Sequence, residues 1–203
     1  MSEHPVKRKY DASSRRAAAA LTQDRICAAA EELFVRDGYA RTSIRAVAAA
    51  ADVAEATVYL AFANKAALLD AVILRGVRDN PSEPLAAVAA APPAEVLPRL
   101  AASNAALMAR AAHLIALGES SALMHAELRP LRASAHRRIR AAFRMVADRL
   151  DNAGLLRDSA REAADTIYAI ASETTYLRAG LPPDRYARWL AETLGAALLR
   201  ESS

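Results

Sequence analysis

Alanine and leucine fill this 203-residue chain in runs that glycine, proline or aspartate cut at irregular intervals, and that interrupted pattern restricts its fold more than any other feature. Alanine loses no side-chain entropy on entering a helix, and the β-branched residues are too scattered for the alternation of a strand. Hydrophobic residues make up 54% of the chain but aromatics only 5%, so the apolar content is alanine, leucine and valine, which favours helix throughout. The expected fold is all-α, and the length suits one large or two small domains.

The interruptions predict where the helices lie. Residues 1–20 read as a basic arm, with Lys7, Arg8, Lys9, Arg15 and Arg16 against Glu3 and Asp11. Such an arm serves either as a soluble terminus or as a reach toward phosphate, and a net charge of +4 with a pI near 9.5 permits a polyanionic partner without demanding one. Thr22 is the expected cap of a first helix with Ile26, Ala29, Ala30, Leu33 and Phe34 at helical spacing, stopped by Gly38 in RDGY. In TSIRAVAAAA, Thr42 or Ser43 caps a second, short helix with Ile44, Val47 and Ala48 inward. Asp52 and Val53 then turn the chain into a third helix near 55–61, and Asn64 caps a fourth that carries Leu68, Leu69, Val72 and Ile73. Residues 21–79 thus form one expected domain. The proline-rich DNPSEPLAAVAAAPPAEV is a connector with at most a short helix, and residues 80–203 form a second domain with helices near 94–117, 120–127, 130–153, 159–179 and 183–200.

Several chemistries are not expected. A single cysteine, Cys27, rules out an internal disulfide and a multi-thiolate metal site within one chain, and its neighbours Ile26 and Ala28 mark it as a small buried hydrophobe. No Ser/His/Asp set, His/Cys cluster or glycine-rich phosphate loop stands out, so no catalytic residue, metal or cofactor is expected. The start of the chain lacks an apolar signal core, and charge breaks the alanine-rich runs. The expectation is a cytoplasmic protein with no membrane partner.

Two short helices joined by a tight turn, with a third before them, make a helix-turn-helix. The fifty residues DRICAAAEELFVRDGYARTSIRAVAAAADVAEATVYLAFANKAALLDAVI, 24–73, resemble without gaps the DNA-binding domain of the tetracycline-repressor (TetR) family of bacterial regulators. The resemblance is carried by Phe34, Gly38-Tyr39, Thr42-Ser43-Ile44, Ala48, Val53, Thr57-Val58-Tyr59, Phe62, Asn64-Lys65 and Leu68-Leu69. The chain departs from the family where Asp52 replaces a common glycine, although aspartate tolerates the left-handed conformation. Ala54 stands where a serine usually caps the third helix, a local loss of roughly 1 kcal/mol. Glu55 replaces a basic or polar residue, and Leu60 and Ala61 lie where a histidine is frequent.

The resemblance implies DNA contacts at Thr42, Ser43, Arg45, Glu55, Thr57, Tyr59 and Lys65. Tyr59 and Thr57 suit phosphate, and Lys65 places a cation beside the amides opening the fourth helix. Arg45 suits a guanine edge, and Glu55 suits either a cytosine amino group or simply the charge preference of a helix start. Residues 162–199 resemble more loosely the last two helices of a common subgroup. That likeness implies a homodimer through a four-helix bundle, with Ala191 and Gly195 allowing close approach and Leu190, Leu194 and Leu198 as an adjoining stripe, although a monomer's core would show the same stripe. Met108, His113, Met124, His125, Phe143, Tyr168 and Tyr176 are candidates to line a small-molecule cavity, each with ordinary packing as the alternative. Arg137, Arg140 and Arg144 fall opposite Ile139, Phe143, Val146 and Leu150 and read as a solvated face. The functional expectation is a regulator, most simply a repressor released from a palindromic operator by an apolar or amphipathic effector. The alternatives are control by a protein partner or without ligand and, less consistent with the residues, an α-helical enzyme with a vestigial DNA-binding domain.

Overall fold

A computed structural model describes residues 7–79 and 82–200. It is all-α apart from one isolated bridge, and it divides into two compact units, Met1–Arg75 and Gly76–Ser203.

In the first unit, α1 (Lys7–Arg41) is far longer than Thr22 as its cap would allow. Thr22 lies inside the helix and its Oγ1 donates to the Ala18 carbonyl at 2.9 Å, a bond a helix interior accommodates, while the alanines upstream propagate the helix. Residues 7–20 are therefore helical rather than an unstructured arm. Arg15 and Arg16 are exposed on it, and residues 1–6 of the expected arm lie outside the described residues. The helix breaks at Gly38, whose φ of 80° is open to glycine at little cost. There follow α2 (Ile44–Ala50), α3 (Glu55–Ala61) and α4 (Lys65–Arg78). Between α2 and α3, Asp52 takes the left-handed conformation at φ 52°, and Val53 N–H donates back to Ala48 at 3.0 Å. Asn64 Oδ1 accepts from Ala67 N–H at 2.8 Å and so starts α4. Ile26, Leu33, Phe34, Val47, Val58, Leu68 and Leu69 make the core, and Cys27 is buried beside it.

In the second unit, the connector carries the short α5 (Leu85–Ala90). It is strapped down by Glu83, which accepts both Nε and Nη2 of Arg99 and is thereby held below the usual carboxylate range, and by Ser103 Oγ donating to the Glu83 carbonyl at 2.6 Å. Two expected helix boundaries are corrected. The predicted break near Gly118 is absent, because α6 (Pro93–Met124) runs through it. A glycine inside a helix costs about 1 kcal/mol, which the burial of Leu114 and Ala122 on either side outweighs. A 3-10 turn (Ala126–Leu128) and α7 (Arg129–Asn152) follow.

Conversely, the single helix expected over 159–179 is two, α8 (Ala160–Ile170) and α9 (Glu173–Ala179). Ser172 caps α9 by accepting from Thr175 N–H, and the carbonyl of Ala171 at the break accepts from Asn104 Nδ2 at 3.0 Å. The chain ends its described part in α10 (Pro183–Leu198), and Leu156 pairs with Leu199 across an antiparallel bridge. Arg157 donates to the Ala196 carbonyl at 2.8 Å, a cation placed at the negative end of α10.

Helix α10 packs along α6, and α7 along α8, around Leu100, Val146, Leu150, Ile167, Tyr186, Leu190 and Leu194. The expectation that charge breaks every apolar run before membrane-spanning length is also corrected. By length and composition α6 qualifies, but half of its apolar stretch is buried inside the protein, as befits a core helix.

Candidate nucleic-acid interface

The turn between α1 and α2 is closed by side chains from two directions. Thr42 is buried, and its hydroxyl faces the carbonyls of Gly38 at 2.9 Å and Leu33 at 3.2 Å. From α4, Lys65 Nζ donates to the carbonyls of Tyr39 at 2.9 Å and Thr42 at 3.1 Å and lies 4.3 Å from the centre of the Tyr39 ring. The ring in turn stacks on Phe34. Carbonyls left over at the end of a helix carry partial negative charge, and an ammonium over them stabilises the turn.

This geometry corrects the expectation for Thr42 and gives Lys65 partners that the sequence did not announce. Thr42 is enclosed and directs its hydroxyl at the protein backbone, away from any phosphate. Lys65 binds the backbone of its own domain and so ties the start of α4 to the turn between α1 and α2.

The outward groups lie on α2 and α3. Ser43 caps α2 by accepting from Ala46 N–H at 3.1 Å, which leaves its hydroxyl hydrogen to point elsewhere. Arg45 and Glu55 are exposed, Thr57 is half-buried beside them, and Tyr59 is 53% exposed. Ala54 opens α3 without a side-chain bond, as its methyl group requires. Val58 is fully buried and aims α3. The sequence reading missed one residue of this face: Leu60 is 89% exposed, the most exposed of the large hydrophobic side chains described. Its place two residues after the buried Val58 on a seven-residue helix was the available signal.

In the second unit the expected sites are dispersed. Leu190, Leu194 and Leu198 lie inside the unit's own core, so they are not an exposed stripe awaiting a second copy. Periodicity marks an apolar face without saying what covers it. Ala191 and Gly195 are half-exposed, and a Cβ at Gly195 would meet nothing within 4 Å.

Of the cavity candidates, Met108 and Phe143 are buried, but His113 and the 81%-exposed Met124 face outward, which removes both as cavity walls in the single chain. His125 sits 3.8 Å from Glu127. Tyr168 Oη lies 3.0 Å from His136 Nδ1, and His136 Nε2 lies 2.7 Å from Glu119, which also binds Arg132. Arg140 stacks 3.9 Å above Tyr168 and pairs with Asp165, so this arginine of the expected solvated face braces α7 against α8. Ile139, placed on the inner face by its spacing, is 41% exposed. Tyr176 meets the buried Tyr186 edge-on, with 4.8 Å between ring centroids. Burial pushes the Tyr186 hydroxyl up to about 12.

Comparison with known proteins bears first on the helix-turn-helix. Residues 26–72 match a family model described as bacterial regulatory proteins, tetR family. No curated protein matches the chain. Among solved structures it is similar to NalD, the secondary repressor of the MexAB-OprM multidrug efflux pump in Pseudomonas aeruginosa, at 23% identity and a TM-score of 0.70, covering 92% of this chain and 100% of that one. A transcriptional regulator from Saccharomonospora viridis in complex with choline aligns at 19% identity and a TM-score of 0.69, over 90% and 100% of the two chains. The SmeT–triclosan complex aligns at 19% and 0.71, over 90% and 93%. At these identities the likeness is one of fold.

Proposed function

We propose that this chain, a member of the TetR family of bacterial regulatory proteins, binds a palindromic operator as a homodimer and represses transcription until an apolar or amphipathic effector occupies its second unit. It is a DNA-binding transcriptional regulator and not an enzyme. The observation that carries the reading is the outward face of α2 and α3, presented by a turn that Thr42 and Lys65 close from within.

On that face, Arg45 reaches a guanine edge and Glu55 accepts from a cytosine amino group. Leu60 presses on a thymine methyl, the kind of contact an exposed aliphatic side chain makes in a major groove. Ser43, Thr57 and Tyr59 donate to phosphates and set the register. We place this action in the cytoplasm, on double-stranded DNA. The complexes with choline and triclosan support a small-molecule effector, which must favour the conformation that binds DNA less well.

Dimerisation through the last helices would use Ala191 and Gly195 of α10, where the backbone is accessible to a second copy. Because the single chain leaves open space around Gly195, Gly195→Leu is expected to leave the monomer folded and shift the dimer to dissociation at higher concentration by sedimentation. An unshifted dimer removes Gly195 from the interface.

The decisive experiment is selection of bound duplexes from a random pool. A palindromic consensus that is recovered by wild type and lost with Arg45→Ala supports the reading, whereas recovery of unrelated sequences ends it. Adding cell extract to the selected complex then tests release by an effector.

A further inference from the structure

Arg36, Arg41, Arg45 and Lys65 lie at or near the turn between α1 and α2, and their charges are spent differently. Lys65 is committed to the carbonyls of Tyr39 and Thr42. Arg36 is cancelled by Asp37, which accepts its Nε at 2.9 Å and its Nη2 at 2.8 Å and is held below the usual carboxylate range by those bonds. Arg45 is exposed on α2 and already assigned to a base edge. Arg41 remains, an exposed cation at the last position of α1 that forms no ion pair among the described residues.

Its side chain is not loose. Gly38 breaks α1 at φ 80°, and Arg41 Nε donates back across that break to the Asp37 carbonyl at 2.9 Å. Carbonyls near the end of a helix carry partial negative charge, which holds a guanidinium there. With Nε committed, both Nη groups stay free for a further acceptor, and their paired donors match two oxygens of a phosphate. The backbone beneath is fixed as well. Tyr39 and Thr42 are buried on either side of Arg41, and Lys65 binds the carbonyls of both. Arg41 and Ser43 are thereby left exposed on the two sides of the enclosed Thr42.

We propose that Arg41 is a phosphate clamp of the DNA interface, its two Nη groups gripping a backbone phosphate beside Ser43. The assignment rests on the DNA-binding reading above and adds a residue that neither the family resemblance nor the outward faces of α2 and α3 supplied. Because Nε is tied back to α1, the side chain is not fully extended, and the phosphates along the duplex are the groups that a shortened arginine meets first. A carboxylate neighbour would have spent the charge within the protein, as Asp37 does for Arg36. A clamp on a fixed backbone also loses little freedom when it closes on DNA.

The full-length protein is measured by fluorescence anisotropy over a range of salt on two duplexes of equal length, the selected operator and a scrambled sequence. Arg41→Gln is expected to weaken both severalfold and by the same factor, and to lower the slope of log affinity against log salt by about 0.9, the share of one phosphate. Arg137→Gln makes the same change of formal charge at an exposed arginine of α7 with no ion pair among the described residues, and it should leave the slope as it is. Arg41→Lys keeps the charge without the fork, so the slope should persist while affinity falls.

An unchanged slope with Arg41→Gln, an equal drop with Arg137→Gln, or a loss confined to one operator position would overturn the clamp. If Arg41→Gln melts below the assay temperature, Arg41→Lys decides, and wild-type affinity in that variant overturns the fork. The wider reading is tested separately by the wild type. A wild type that binds neither duplex ends the DNA-binding reading and the clamp with it, whereas one that binds both no better than Arg41→Gln ends the clamp alone.

Discussion

The unit that ends at Arg75 closes its turns with side chains, whereas the unit that begins at Gly76 leaves polar atoms open in its interior. In the first, Thr42, Ser43, Asn64 and Lys65 each satisfy backbone groups at a helix end, and Asp52 carries the one positive φ outside glycine among the described residues. In the second, Asn104 and Tyr186 are buried with an atom unpaired. A surface that must match the spacing of base pairs gains from rigid presentation, and closed turns supply it. Removing Thr42 or Lys65 should therefore damage the first unit, whereas removing the unpaired Tyr186 hydroxyl should leave the second nearly unharmed, and that contrast can be broken by experiment.

The largest effect is expected from Phe34→Ala, which takes a fully buried ring from beneath Tyr39. A loss of roughly 3–5 kcal/mol is the usual scale for such a cavity, enough to unfold the helix-turn-helix and abolish DNA binding. Chemical denaturation would measure it, and a near-neutral result would mean that this core is looser than its packing indicates. Lys65→Met comes next. It keeps the aliphatic stem but drops two charge-assisted bonds, at a cost of about 1.5–3 kcal/mol in stability and a similar weakening on every operator variant. A loss of DNA affinity with no loss of stability would return Lys65 to the phosphate backbone.

Arg45→Ala should leave stability unchanged, cost roughly 1–3 kcal/mol on the preferred operator and relax one position of it. Measuring the variant against all single-base changes tests this, and uniform weakening would make Arg45 a phosphate contact. The smallest effect is expected from Tyr186→Phe, with little or no change in melting temperature at neutral pH. It differs from wild type only in alkali. Burial raises the Tyr186 pKa from 10.0 to about 12 in the folded chain, so stability due to its neutral form is complete below pH 10 and is lost as pH rises toward 12. Tyr186→Phe should flatten that alkaline loss. Equal alkaline curves would show that the Tyr186 hydroxyl is not enclosed, and a large loss at neutral pH would show that it has a partner after all.

Much of the first unit was legible because its determinants are local. Gly38, Asp52 and Asn64 act within a few residues of themselves, and the helices they delimit can be read in order. The family resemblance rested on that same continuous stretch, and the match over residues 26–72 falls inside it. Thr42 was noticed but given the wrong partner, and the backbone partners of Lys65 were not foreseen, since a threonine beside a helix start and a lysine after a cap are equally suited to phosphate and to carbonyls. Lys65 and Tyr39 are 26 residues apart, so no local pattern joins them. In the second unit the same difficulty is general, because Asn104 reaches across 67 residues to the break between α8 and α9.

From its order of residues alone, then, this chain is helical, carries a helix-turn-helix with a left-handed aspartate in its turn, and resembles one family of regulators. Those properties follow from side-chain entropy, capping and backbone sterics, which act over one or two turns. The tertiary structure decided that α6 continues through Gly118, that a helix breaks at Ala171, and that the leucines of α10 face their own core. It also decided that Leu60 stands in the open. Each of these is a competition between a small local preference and a burial or hydrogen bond supplied by a distant segment, and only packing brings the distant segment near enough to win.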